Sequence, residues 1–294
     1  MPMTHPRTVR IGGLQISVTV DRLLAERVKS RLRPRDSQFH PYQNDEPTLN
    51  GTQLADIDWY HTIDLPNGIV TPGFVDHRGQ VDQYGIPASL AGKRCLDVAS
   101  FDGFWAFEME KRGAAEVTGI DLHSLADCDY PTNFLGEYLR ARPKTVKGLG
   151  FAYAKRALHS HVQRKLLSVY ELSPEKIGTF DFVFMSDLLL HLREPLRALE
   201  AVWSVTRGEA IIADAYDAEL EAAGADRALR FALSLDHYSG CLWWLPSVSA
   251  LRSMLQVARF QDIEELGRFQ LGTKAGVEVP KVVFRARHSA MVDA

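Results

Sequence analysis

One segment constrains this chain more than any other: Leu96-Asp97-Val98-Ala99-Ser100-Phe101-Asp102-Gly103-Phe104. It joins a short apolar strand, Arg94 to Val98, to a helix over Phe104 to Arg112. A tight strand-to-helix turn lets a ligand approach backbone N–H groups at the carboxyl edge of a sheet, where α/β folds bind nucleotides. Eighteen positions beyond Gly103 stands Asp121, at the tip of a second strand, Glu116 to Asp121. A carboxylate there can accept both hydroxyls of a ribose, so a nucleoside ligand is implied. Ala99 and Phe101 stand where a dinucleotide fingerprint has glycines, which leaves little room for a pyrophosphate and argues against NAD or FAD.

The rest of the chain after Leu90 continues strand, helix, strand, helix, the signature of a parallel sheet covered on both faces. Strands are predicted over Phe180 to Met185, Glu209 to Ala215 and Val279 to Arg285, and helices over Pro195 to Val205 and Ser247 to Val257. Before Leu90 the composition differs. Asp21 precedes Leu24, Val28 and Leu32 on one helical face, then a polar, proline-punctuated stretch leads to Trp59-Tyr60-His61. Residues 1–90 are expected to form a helical or irregular cap or lid, and residues 91–294 the nucleoside-binding domain.

Composition removes several classes. With 46% apolar and 24% charged residues among 294, the chain can bury a sizeable core. Cys95, Cys128 and Cys241 form no C-x-x-C or zinc-ligand spacing, so neither a disulfide scaffold nor a zinc site is expected. No apolar run approaches the roughly 18 residues of a spanning helix, and the start lacks an apolar leader, so a cytoplasmic protein without membrane contact is expected. A net charge of −3 lacks the basic excess of a nucleic-acid binder.

With these residues in place, the sequence resembles the class I S-adenosylmethionine (SAM) methyltransferases, whose first loop reads acidic-x-Gly-x-Gly-x-Gly. Within them it resembles the group that includes the bacterial tRNA wobble-uridine carboxymethyltransferases. Trp59-Tyr60-His61 before Pro72-Gly73, Leu96 to Phe104, Gly119-Ile120-Asp121, Ser168 to Leu172 and Leu188 to Pro195 carry the likeness, which covers roughly residues 57 to 260. It implies a mostly parallel seven-stranded sheet with the last strand antiparallel and helices on both faces. It also implies SAM as cofactor. Asp97, Ala99, Phe101 and Gly103 would lie by its methionine and ribose, Asp121 with Leu122 by the ribose, Tyr170 by the adenine, and Ser186 at the sheet edge.

SAM brings its own electrophile and leaving group, so the protein positions an acceptor and removes a proton where one must go. Asp187 and His191 flank Leu188-Leu189-Leu190; if Asp187 begins a helical turn, the i, i+4 spacing sets it beside His191 as a base. Leu190 stands where related sequences have Tyr. Glu171, read as ending a strand, is either an adenine ligand or a general base. Tyr60, His61, His237, Tyr238 and Trp243 are expected to contact the substrate, the last three as part of an aromatic wall. From Tyr138 to Lys165 the chain has eight Lys or Arg residues and no acid, a run suited to a solvated face, a phosphate-bearing small molecule or RNA.

The expected activity is methyl transfer to a small metabolite, in its narrowest form C-methylation of an isoprenoid diphosphate with Mg2+ bridging the phosphates. Modification of tRNA is the first alternative, and a SAM-binding partner subunit without turnover the second.

Overall fold

The computed structural model describes residues 7–11, 14–18, 47–131, 134–142, 145–233 and 242–288. Contacts divide the chain into two units, Met1–Tyr42 and Gln43–Ala294. In the first, β1 (Arg7–Ile11) pairs with β2 (Leu14–Val18) as an antiparallel hairpin, Arg7 opposite Val18. The expected helix through Leu24, Val28 and Leu32 lies outside the described residues.

The second unit starts with a small hairpin, β3 (Asp64–Leu65) and β4 (Ile69–Val70). It continues through β5 (Arg94–Val98), α1 (Phe104–Lys111), β6 (Glu116–Asp121), α2 (Leu135–Ala141), α3 (Leu149–Leu158), β7 (Gln163–Leu166), α4 (Pro174–Ile177), β8 (Phe180–Ser186), α5 (Pro195–Val205) and β9 (Thr206–Ala215). After α6 (Ala218–Ala222), β10 (Leu229–Phe231) and β11 (Trp244–Pro246), it ends with α7 (Val248–Val257), β12 (Gln261–Gly272) and β13 (Glu278–Arg287).

Seven strands form one sheet in the order β12-β13-β9-β8-β5-β6-β7. The pairs β5/β6, β5/β8, β6/β7 and β8/β9 are parallel, while β13 is inserted antiparallel between β9 and β12. This is the mostly parallel seven-stranded sheet, with its last strand antiparallel, that the resemblance implies. The strands and helices predicted after Leu90 are present with ends moved by a few residues, except the strand expected to end at Glu171. The periodicity does not show α2, α3, α4, α6, β7, β10, β11 or β12; β7 is short and polar, and β12 mixes charged residues on both faces.

Side-chain alternation along the strands divides the core into two layers. Phe180, Val183 and Met185 of β8 and Val282, Phe284 and Ala286 of β13 pack with Leu199 and Val202 of α5 and Leu251 and Leu255 of α7. The opposite layer takes Phe182 and Phe184, Ile211 and Ala213, and Val283, against Trp105 and Met109 of α1 and Phe151 of α3. Ile57, Trp59, Ile63, Leu65, Tyr84, Ile86 and Leu90 belong to this second layer. The segment before the first parallel strand is therefore built into the core beside α1. Among the described residues, no helix is long and apolar enough to cross a membrane.

Candidate functional site

A cavity of about 290 Å³ opens at the carboxyl edge of the sheet, at the ends of β5, β6 and β8. The turn after β5 forms its floor. Ala99 and Phe101 have φ of 63° and 44° and Gly103 has 86°, so two residues with side chains take the left-handed conformations that glycine supplies in related loops. Gly103 itself admits no substitute, since a Cβ there would lie 2.7 Å from Phe151 and 2.8 Å from Phe107. Asp97 Oδ2 accepts the N–H of Ala106 in the first turn of α1, at 3.1 Å.

Two carboxylates face the cavity with unmet needs. Burial, opposed by the Ala106 N–H and reinforced by Asp121, pushes the Asp97 carboxyl up to about 8. Asp121 Oδ1 accepts the Leu122 N–H at 2.7 Å and the Lys147 ammonium at 2.6 Å. Its Oδ2 is buried with no hydrogen-bond partner. A ligand with an ammonium near Asp97 and hydroxyls near Asp121 would satisfy both, because a buried carboxylate without a donor or counter-charge is costly. These residues fit the amino group and ribose of SAM. Leu122, Tyr170 and Ser186 line the same cavity, so the expected cofactor residues other than Gly103 all border it.

Tyr60 and His61 form the facing wall. Their backbone N–H groups both donate to Asp102 Oδ2, at 2.7 and 2.9 Å, which ties the loop before β3 to the turn after β5. The Thr71 hydroxyl donates to the His61 carbonyl at 2.8 Å, and Val75 N–H to the Tyr60 carbonyl at 2.8 Å. Burial raises the Tyr60 phenol far above its ordinary value, with Asp187, Asp214 and Asp102 adding to the rise. Burial likewise pushes the His61 imidazole well below its own, helped by His77. Both rings are therefore neutral at pH 7.

At the end of β8, Asp187 and His191 also line the cavity. Asp187 does not begin a helical turn: its φ is 54°, and the short 3-10 helix is Leu189–His191. Its carboxylate accepts from Lys281 and, at 3.0 Å, from the Ser186 hydroxyl. Burial opposes its ionisation, but the Lys281 charge and hydrogen bond, with His77 and the Ser186 hydroxyl, together outweigh burial and hold the carboxyl below the usual range. Asp214 beside it accepts the N–H groups of Leu188, Leu189 and Ala215.

Other expected residues fall elsewhere. Glu171 does not end a strand; it closes the 3-10 helix Val169–Glu171, pairs with Lys176 at 3.2 Å and is not part of the cavity lining. Trp243 stands behind the lining, packed on Tyr130, its Nε1 donating to the Asp129 carbonyl at 2.7 Å. His237 and Tyr238 lie outside the described residues. The basic run is no single patch, for Lys147 turns inward to Asp121 and Arg164 is buried, while Arg140 and Arg156 face solvent.

Sequence reasoning passed over Asp102, His77 and Lys281, and took Lys147 only as part of the basic run. Asp102 carried a signal, being a second acid inside the nucleoside-binding turn; Lys281, a charge in the apolar run Val279 to Phe284, carried another. His77 was legible only once its ring met those of His61 and Trp105.

No protein-family profile matches the chain. It is 29% identical over 177 residues to the tRNA U34 carboxymethyltransferase of Ectopseudomonas mendocina, covering 59% of this chain and 47% of that protein. The protein of the same name from Pseudomonas aeruginosa is 30% identical over 176 residues, covering 59% and 46%. The chain spans about half the length of these curated relatives. Among solved structures, the N-terminal domain of EvdMO1, crystallised in the presence of S-adenosylhomocysteine (SAH) and D-fucose, superposes with a TM-score of 0.52 at 19% identity, over 92% of this chain and 98% of that one.

Proposed function

We propose that this chain is a SAM-dependent methyltransferase acting on a small metabolite. The observation that carries the reading is the pair of buried carboxylates on one cavity: among the described residues no cation pairs with Asp97 and no donor reaches Asp121 Oδ2. When bound, SAM would supply an activated methyl group and a neutral leaving group. The chain's part is to hold the amino end with Asp97 and the ribose with Asp121, to place Tyr170 toward the adenine, and to exclude water. We assign the segment of the second unit before Leu90 the role of a cap, to which Tyr60 and His61 belong as part of the wall.

A small acceptor is supported by the EvdMO1 domain, whose likeness extends over 92% of this chain and whose crystals contained a monosaccharide. Modification of tRNA is the second reading, supported by the names of the curated relatives. For an isoprenoid diphosphate the rings of Tyr60, Phe101 and Tyr138 offer an apolar wall, and Mg2+ would bridge its phosphates. Arg142 and Lys147 are the Lys and Arg residues on the cavity, and Lys147 is already engaged by Asp121.

Calorimetry with SAM and SAH tests the cofactor. Asp121→Ala should lower affinity at least about tenfold through the loss of charge-assisted hydrogen bonds, and unchanged affinity in folded protein would remove the assignment. Labelled SAM is then offered with D-fucose, uridine, bulk tRNA, and dimethylallyl diphosphate plus Mg2+. Label in tRNA, with binding that weakens steeply as salt rises, would reverse the ranking of acceptors. SAM binding without any methylated product would favour the partner subunit.

A further inference from the structure

We infer that His61, with Asp102 behind it, takes the proton from an acceptor hydroxyl, so that the methyl group is delivered to oxygen. The inference rests on the methyltransferase reading and narrows its acceptor to alcohols and phenols.

Four other titratable groups that line the cavity, Asp187, Tyr60, Asp97 and Asp121, are committed elsewhere. Asp187 is ion-paired to Lys281 and bonded to Ser186, which makes its carboxylate a weak base. Tyr60 is a neutral phenol and not a competent base. Asp97 and Asp121 face the cofactor. His61 differs from all of these. Its ring lines the cavity, yet its Nδ1 is buried with no hydrogen-bond partner and lies 3.8 Å from Asp102 Oδ2.

The ring is also held in place. Phe104 stacks on one side at 5.7 Å and 21°, and Tyr60 meets it edge-on at 4.7 Å. Behind the backbone, a Cβ on Gly73 would lie 2.1 Å from the His61 carbonyl carbon, so the turn at Pro72-Gly73 packs directly against it. The charged and titratable groups around the imidazole are Asp102 from the turn after β5, Tyr60 and His77 from the cap segment, and Asp187 from the end of β8. Of the two carboxyl groups, Asp187 is held ionised by Lys281, while burial, opposed by the His61 and Tyr60 N–H groups, raises Asp102 to about 7; an imidazolium formed there draws Asp102 into its ionised form and so does not stand as an isolated buried cation.

The transfer balances as follows. A lone pair on the acceptor oxygen forms the C–O bond to the methyl carbon; the methyl–sulfur bond breaks with its pair remaining on sulfur. The hydroxyl proton passes to His61 Nε2, on the ring edge away from Asp102, and Nδ1–H turns toward Asp102 Oδ2. The positive charge lost from sulfur thus appears on the imidazole, beside the carboxylate, and the proton then leaves to solvent. Asp102 is a positioning residue in this step and His61 the catalytic one.

The test has two arms, both on full-length protein. In the first, histidine NMR follows the titration of His61 in the SAH complex. Asp102→Asn keeps an oxygen for the N–H groups of Tyr60 and His61, so the fold is retained, and His61 should titrate about one pH unit lower. An unchanged titration would overturn the dyad, with or without a known acceptor. In the second, His61→Gln and His191→Gln are compared using labelled SAM and D-fucose, uridine and dimethylallyl diphosphate. His61→Gln should bind SAH with nearly native affinity, lose at least about a hundredfold in kcat, and recover part of it with added imidazole as the smaller His61→Ala. Methyl found on carbon or ring nitrogen, or a larger loss in His191→Gln than in His61→Gln, would overturn the inference. A native protein that fails to bind SAH would instead refute the cofactor assignment.

Discussion

Lys281 reaches Asp187 across the carboxyl end of the sheet from a position with no solvent exposure at all. By alternation with Val283, the Lys281 side chain falls on the face packed with Trp59, Ile63 and Tyr84, and its partner is the residue that follows β8 at the cavity. Desolvating an ammonium is expensive, and removing one member of a buried pair strands the other. Lys281→Met should therefore cost about 3–5 kcal/mol in urea unfolding. Lys281→Met combined with Asp187→Asn should cost less than Lys281→Met alone. Equal losses in the two proteins would show that the pair contributes nothing specific.

Asp97 should make cofactor affinity depend on pH. Its folded value, about 8, lies above the ordinary carboxylate value of 3.8. The folded protein therefore retains a proton that the unfolded chain has lost, and this group lowers stability progressively as pH rises between those two values. An ammonium placed beside Asp97 favours the ionised form, so binding expels the proton. SAH affinity should rise between about pH 5.5 and pH 7.5, and Asp97→Asn should bind more weakly with a flat profile. A profile that is the same in both proteins would place the amino group elsewhere.

His77 should act in the opposite sense. Its Nδ1 lies 3.1 Å from the Tyr84 hydroxyl, its Nε2 is buried without a partner, and burial lowers the imidazole to about 4 from 6.5. Above 6.5 the ring is neutral in both states; as pH falls from there to about 4 the unfolded chain takes up a proton that the folded one refuses, and stability is lost. His77→Gln should remove up to about 1.4 kcal/mol per pH unit of that slope. Thermal melts across this window that run parallel in the two proteins would contradict the assignment.

Gly73 tests the seating of the wall. Its missing side chain lets the chain pass against His61 and Thr62, and an added Cβ would lie 2.2 Å from the Thr62 nitrogen. Gly73→Ala should destabilise by at least about 2 kcal/mol and weaken SAH binding, because Tyr60 and His61 must shift to admit it. A variant with native stability and affinity would mean that the loop yields without moving the wall.

The strands β5, β6, β8, β9 and β13 and the helices α1, α5 and α7 were legible because alternation and helical spacing are local properties of the chain, and so was the nucleoside turn from Leu96 to Phe104. Asp121 could be placed because a strand of known length ends there. The failures were of a different kind. Glu171 was read as the end of a strand, yet the strand stops at Leu166 and the following turn sends the Glu171 carboxylate to Lys176. Asp187 was paired with His191 on helical spacing, but a left-handed backbone at Asp187 directs it to a lysine 94 residues away. Local pattern determines which face of an element a residue occupies. Which charges meet in a buried cavity depends on how strands far apart in the chain are set side by side, and only the assembled sheet brings Asp187 to Lys281, Asp121 to Lys147, and Asp102 beneath Tyr60 and His61.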